Sequence, residues 1–192
     1  VINPKKMDVF FIKGSQYTEV LLDRLKENTV VKSITLNDCN IGDAGIKHLA
    51  KLLELNSSIS ELNLERNNIG CDGLSELSRA LKKNKTLVRL NLHFNNIRNE
   101  GSAALAGAIA THPSLIHIDL SSNPMGEGRA LAILEALRQR DLNRGTINLF
   151  GSTEASWHKV TVRVWDPQTV EEYGHVSLET HTSKEKVYAS LW

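Results

Sequence analysis

The stretch Leu62–Leu81 reads LNLERNNIGCDGLSELSRAL, and its two halves carry different periods. Over Leu62-Asn63-Leu64-Glu65 apolar and polar residues alternate, which places the leucines on one face of a short strand and the polar side chains on the other. From Gly73 the apolar positions Leu77 and Leu81 recur at a spacing of four, the pattern of one side of a helix. The same switch is plain one unit later, between Leu90-Asn91-Leu92-His93 and the run Gly101 to Ala110. Each unit therefore predicts one strand and one helix.

Working outward, the unit repeats every 28 residues. Ile34, Leu62, Leu90 and Ile118 share one column, and Leu36, Leu64, Leu92 and Leu120 another. Next come Cys39, Asn67, Asn95 and Asn123, then Ile41, Ile69, Ile97 and Met125. Glycines recur at Gly45, Gly73 and Gly101, and the helical half adds Leu49, Leu77, Leu105 and Ile133, then Leu53, Leu81, Ile109 and Leu137. The asparagine column has a physical reason. Where the chain leaves the strand its backbone groups lose their ladder partners, and an inward amide that both donates and accepts satisfies them. Cys39, a weaker donor and acceptor, fits this column near the end of the stack.

These columns resemble the leucine-rich repeat: Leu62-x-Leu64-x-x-Asn67-x-Ile69 and its copies carry the likeness, and the repeat length with Gly73-x-x-x-Leu77 is similar to the ribonuclease-inhibitor subfamily. It covers about residues 30–145. The resemblance implies an α/β fold, a leucine-rich-repeat horseshoe with a parallel β-sheet on the concave side and α-helices on the convex side, serving as a binding scaffold.

Three regions are expected: a capping repeat over 1–29, the solenoid of 28-residue units over 30–155, and a β extension over 156–192. In the first, Val9-Phe10-Phe11-Ile12 reads as a strand and Tyr17 to Lys26 as a helix with Val20, Leu21, Leu22 and Leu25 on its apolar side. Thr146-Ile147-Asn148-Leu149 offers a further strand, one residue out of register. Arg138, Arg140 and Arg144 beside it read as a solvated helix end favoured by the helix dipole rather than as a nucleic-acid site. Lys159 to Trp165, Gly174 to Glu179 and Val187 to Trp192 alternate as strands of a small antiparallel element. Its last strand ends at the final residue, which points to a fragment of a longer protein in which a further domain begins.

The strand Gly174-His175 followed by that of Tyr188 to Trp192 is similar to the opening of a permuted papain-like hydrolase, which implies a histidine serving a cysteine supplied later. No cysteine follows His175, so in that alternative the repeats target a hydrolase whose nucleophile lies beyond residue 192, and a thiolate is what the chemistry requires. The horseshoe joined to this β segment also resembles the repeat-bearing effector proteins of intracellular bacterial pathogens (Legionella-type), which implies secretion into a host cytoplasm and a host protein as partner.

The 23 basic and 22 acidic side chains nearly cancel, so no overall field draws the chain to nucleic acid or an anionic membrane. No apolar run is long enough to span a bilayer, and Val1 to Lys13 lacks a signal-peptide pattern. The expectation is a soluble intracellular chain with neither a nucleic-acid nor a membrane partner; the sequence is silent on oligomeric state. Two cysteines, Cys39 and Cys71, are too few for a disulfide framework and match no zinc spacing, so both are expected as free thiols, Cys71 inert at the start of a helix. His48, His112 and His117 match no ligand spacing. No catalytic constellation, metal site or cofactor is expected.

A binding surface follows from the outward strand positions. Thr35, Asn37 and Asp38 lead to Asn63, Glu65 and Arg66, then Arg89, Asn91, His93 and Phe94, then Asp119, Ser121 and Ser122. Phe94 with His93 stands out, because an aromatic side chain on a solvent-facing strand has no folding reason to be there, and aromatic and arginine residues are common interface anchors. With Arg66 and Arg89 the pair forms the expected centre, bordered by Asn91, Glu65 and Asp119. The other reading of Phe94 is that it packs over its neighbours near the strand end. Asp38, Glu65 and Asp119 argue against a nucleic-acid stripe.

Overall fold

The computed structural model describes residues 14–125 continuously, Ile133, and the backbone of the strand segments 6–8, 145–148, 159–164, 176–179 and 187–188. Strands and helices alternate: β1 (Lys6–Asp8), α1 (Gln16–Leu25), β2 (Ser33–Thr35), α2 (Gly42–Leu55), β3 (Glu61–Asn63), α3 (Cys71–Lys83), β4 (Arg89–Asn91), α4 (Asn99–Thr111) and β5 (His117–Asp119). Four further strands follow, β6 (Gly145–Asn148), β7 (Lys159–Val164), β8 (Val176–Glu179) and β9 (Val187–Tyr188). One open sheet holds the described strands in chain order; β1 to β6 pair parallel and β6 to β9 antiparallel.

Ile34, Leu62, Leu90 and Ile118 are mutual register partners, as the 28-residue spacing requires. At the edges the register slips: Met7 partners Ile34, one residue short of a repeat, and Ile147 partners Ile118, one residue over. The strand expected at Val9 to Ile12 lies outside the described residues, just after β1. Gly174, His175 and the segment Ala189 to Trp192 also lie outside them.

The central residue of each short strand is buried and its flanks are not, so the sheet has one covered face. Every described member of the apolar columns is buried against the helices, from Ile34, Leu36 and Ile41 to Ile118, Leu120, Met125 and Ile133. Each such side chain contributes about 1.5–3 kcal/mol of transfer free energy. Helix α1 departs from its expected pattern: Val20 is exposed, whereas Thr18 and Leu25 are buried and Leu21 and Leu22 only partly covered. Among the described helices α1 packs on α2, and Thr18 tolerates burial there because its hydroxyl lies 2.5 Å from the Ser15 carbonyl and 3.0 Å from His48 Nδ1.

Two ladders of side chains stitch the turns. In the first, the expected one, Asn67 is wholly buried. Its Oδ1 accepts from the amides of Cys39 and Ile41 at 3.0 and 3.3 Å, and its Nδ2 donates to the carbonyls of Leu36 and Glu65 at 2.6 and 3.0 Å. Asn95 does the same for Asn67 and Ile69, and Asn123 for Ile97. Cys39, lacking an amide, turns Sγ to its neighbour's carbonyl, Asn37 O, at 3.3 Å.

The second ladder runs at the opposite end of the helices through Asn28, Asn56, Asn84 and His112. Asn56 Oδ1 accepts from the amides of Ser58 and Ile59, and its Nδ2 donates to Leu25 O and Asn28 O, each at 2.7 Å. Asn84 repeats the arrangement with Thr86, Leu87 and Leu53 O. His112 takes the place of the amide, its Nδ1 accepting from Ser114 and Leu115. Hydroxyls at Ser58, Thr86 and Ser114 donate across to the previous repeat.

Helix-to-helix distance is set by the glycine column. A Cβ at Gly101 would lie 3.1 Å from the Cα of Cys71 and 3.2 Å from a methyl of Leu74, so only glycine lets α4 approach α3 this closely. Glu54 ties α2 to α3 on the outside, its carboxylate 3.1 Å from Lys83 Nζ and 3.4 Å from Lys51 Nζ. Burial works to raise its pKa, but the two ammonium groups prevail and hold the carboxyl below its ordinary value.

Candidate functional site

On the sheet face away from the helices, β3, β4 and β5 end in the same local device. Asn63, Asn91 and Asp119 turn their Oδ1 back to accept from the amide two residues on, at Glu65, His93 and Ser121, with distances of 3.1, 2.8 and 2.9 Å. The following residue then takes a left-handed backbone: φ is +53° at Asp38, +57° at Arg66, +52° at Phe94 and +56° at Ser122. The reversal swings the next residue, the ladder cysteine or asparagine, into the core. Backbone bonds between repeats continue through this segment, from Leu92 N to Asp119 O and Phe94 N to Ser121 O. Phe94 is thus placed at a turn and not, as its alternating surroundings suggested, on a strand. A left-handed conformation costs an L-residue about 1–2 kcal/mol, and a bulky ring is the least suited occupant of this column.

Phe94 stays 52% exposed. The guanidinium carbon of Arg66 sits 4.6 Å from its ring centroid, within cation–π range. The His93 ring lies 6.1 Å from that of Phe94, tilted by 57°. His93 Nδ1 is 2.7 Å from Ser121 Oγ, which is 2.5 Å from Asp119 Oδ1. A carboxylate only accepts, so the serine hydroxyl donates to Asp119 and His93 Nδ1–H donates to the serine. Arg66 Nε stands 3.5 Å from Glu65 Oε1, too long for a strong hydrogen bond.

The expected site residues therefore divide. Glu65, Arg66, His93 and Phe94 form one cluster, with Asp119 joined through Ser121. Asn91 serves the turn. Arg89 is at the start of β4, paired with Glu61 at 2.9 Å, and Phe94 stands at the turn beyond the other end of that strand. Sequence reading places Ser121 on the surface but outside its centre, and does not pick out Glu61; Glu61 lies one repeat before Arg89 and Ser121 one repeat after His93, so the period already placed them side by side.

His48 and His112 are taken up by the contacts given above, and His117 partners Arg89 across the sheet. Cys39 is buried, and Cys71 is partly exposed with Sγ 3.6 Å from Glu100 Oε2. Among the described residues no three His, Cys, Asp or Glu side chains converge as a metal would need. No helix among them is long and apolar enough to cross a membrane.

Comparison with known proteins agrees with the geometry. The family model described as Leucine Rich repeat matches residues 27–50, 55–78 and 83–106, so the chain carries leucine-rich repeats. No curated protein sequence matches it. Solved structures that share its fold include domains of leiomodin-1 and tropomodulin. Leiomodin-1 actin-binding site 2 has 21% identity and a TM-score of 0.56, covering 72% of this chain and 82% of that one. The tropomodulin C-terminal domain of Caenorhabditis elegans has 17% identity and a TM-score of 0.60, covering 68% and 80%.

Proposed function

We propose that this chain is a protein-binding scaffold that holds a partner protein on its uncovered sheet face, with Phe94 and Arg66 as the centre of contact. The observation that carries the reading is Phe94. A half-exposed aromatic ring is kept at a left-handed position, where three neighbouring repeats use Asp, Arg and Ser, and an arginine is laid over it. Folding alone favours a small polar residue there. Aromatic and arginine side chains held in a fixed pose lose little freedom on binding, which is why such pairs act as interface anchors.

The uncovered face is, on this reading, the concave side of a short ribonuclease-inhibitor-like horseshoe, with the β6 to β9 segment as its extension. Leiomodin-1, whose solved domain is by title an actin-binding site, is an instance of this fold engaging a protein. Binding rather than catalysis is supported by the line His93–Ser121–Asp119, because the hydroxyl between them gives its hydrogen to the carboxylate and so is not activated by the histidine as a nucleophile must be. If the resemblance to bacterial effectors reflects origin, the partner is a host protein.

The test is retention of proteins from a eukaryotic lysate, with purified monomeric actin as one defined candidate, on immobilised chain and on Phe94→Ala and Arg66→Ala variants with unchanged circular dichroism. A partner held by the parent and lost by both variants supports the face as the site. A partner held equally by all three places the site elsewhere.

A further inference from the structure

The uncovered face differs in charge from the chain that carries it. The whole sequence balances 23 basic against 22 acidic residues. The outward positions of the four central repeats instead hold four carboxylates, Asp38, Glu61, Glu65 and Asp119, and two guanidinium groups, Arg66 and Arg89. Arg89 is spent on Glu61 at 2.9 Å, and Arg66 lies over Phe94 with Glu65 at 3.5 Å. Asp38 is exposed and has no cation against it among the described residues. The amide of Asp38 bonds the carbonyl of Glu65 at 2.9 Å, so the two carboxylates stand on adjacent turns, on the side of Phe94 nearer the amino terminus. Adjacent strands are about 4.8 Å apart, which puts the Asp38 turn roughly 10 Å from the Phe94 turn.

Building on the proposed binding role of Phe94, we infer that the partner presents a basic segment: an apolar side chain for the open face of the Phe94 ring, with lysine or arginine one or two residues away to meet Asp38 and Glu65. An acidic segment would face two carboxylates for one guanidinium, and that guanidinium is already engaged. Screening sets the reach of this preference, since exposed charges interact over about 8 Å at physiological salt and about 20 Å near 20 mM.

Three peptides of equal length test it, each with a central leucine flanked on both sides by lysine pairs, glutamate pairs or serine pairs, titrated against the full chain by fluorescence anisotropy up to millimolar concentration. The lysine peptide is expected to bind at least about tenfold tighter than the serine peptide near 20 mM salt, and this advantage shrinks near 150 mM. Asp38→Asn with Glu65→Gln should bring the lysine peptide to within about twofold of the serine peptide at low salt. Both changes are isosteric, neither side chain serves a ladder, and asparagine accepts the left-handed backbone at position 38. Tighter binding of the glutamate peptide, equal binding of all three, a lysine preference that survives the double variant, or no binding by any peptide overturns the inference. Phe94→Ala separates the two claims: it should weaken every peptide alike and leave the lysine preference in place, and absolute affinities untouched by it sink the aromatic anchor while sparing the charge argument.

Discussion

Replacing Asn67 with alanine removes one wholly buried amide that makes four bonds to backbone. Glu65 O keeps a second donor, the Asp38 amide at 2.9 Å. The amides of Cys39 and Ile41 and the carbonyl of Leu36 lose the partner that Asn67 gave them. At about 1–3 kcal/mol per buried group left unsatisfied, and with water and small backbone shifts recovering part of it, the expected loss is about 3–4 kcal/mol. Domains of this kind have a total stability of roughly 5–15 kcal/mol. At about 2–4 °C per kcal/mol for a chain of this length, the melting temperature should fall by roughly 10 °C. Asn67→Asp sharpens the test, because it preserves shape and the accepting oxygen but turns the donor to Leu36 O into a second acceptor facing a carbonyl. It should be no more stable than alanine. Urea unfolding followed by circular dichroism gives the difference, and hydrogen exchange should show the Cys39 and Ile41 amides opening before that of Ile97, which Asn123 holds. A loss under about 1 kcal/mol for alanine, or an aspartate variant as stable as the parent, would falsify the account of the ladder.

Other substitutions probe the remaining arguments. Gly101→Ala forces a methyl against the Cys71 backbone and should cost about 1–3 kcal/mol, whereas Gly107→Ala, which meets nothing within 4 Å, should gain about 0.5–1 kcal/mol from helix propensity; thermal melts with the opposite ordering would refute the packing argument. Phe94→Asn relieves the left-handed strain while losing a cation–π contact, so stability should hold or rise by up to about 1 kcal/mol even as partner retention is lost, and a clear drop in melting temperature would show that the ring serves folding. Because the Glu54 carboxyl is held below its ordinary value, its contribution to stability is present above the unfolded-state pKa and lost as pH falls through the folded one. Melts from pH 7 down to about pH 3 should therefore show a decline below roughly pH 4.5 that is shallower in Glu54→Gln; parallel curves would remove Glu54 from the acid response.

The period of 28 made the fold legible, since a residue type recurring at that spacing had to occupy one place in every unit. It gave the strand centres at Ile34, Leu62, Leu90 and Ile118, the buried faces of α2 to α4, and the Asn67, Asn95 and Asn123 ladder. The second ladder used the same signal and went unread, because Asn56 and Asn84 look like ordinary helix-end residues until each is seen to reach into the preceding repeat, and because His112 breaks the residue type while keeping the accepting atom. Val20 was misplaced for a related reason: apolar spacing does not reveal which side of an end helix has a neighbour. At the site, the alternation of Leu90 and Leu92 carried the strand reading past Asn91, where the side chain folds back and the backbone reverses. Chemistry could pick out Phe94 and Arg66, but only the register shows that Arg89 answers to Glu61 instead.

Both ladders run in one direction. Asn67, Asn95 and Asn123 each close the turn of the repeat before them, and Asn56, Asn84, Ser58, Thr86 and Ser114 likewise reach back rather than forward. A repeat emerging from the ribosome therefore cannot complete its own turns; it waits for roughly one more repeat of chain to be made. Folding during synthesis should trail the growing end in steps of one unit, so that a pause in translation leaves the newest repeat unsealed and every earlier one shut.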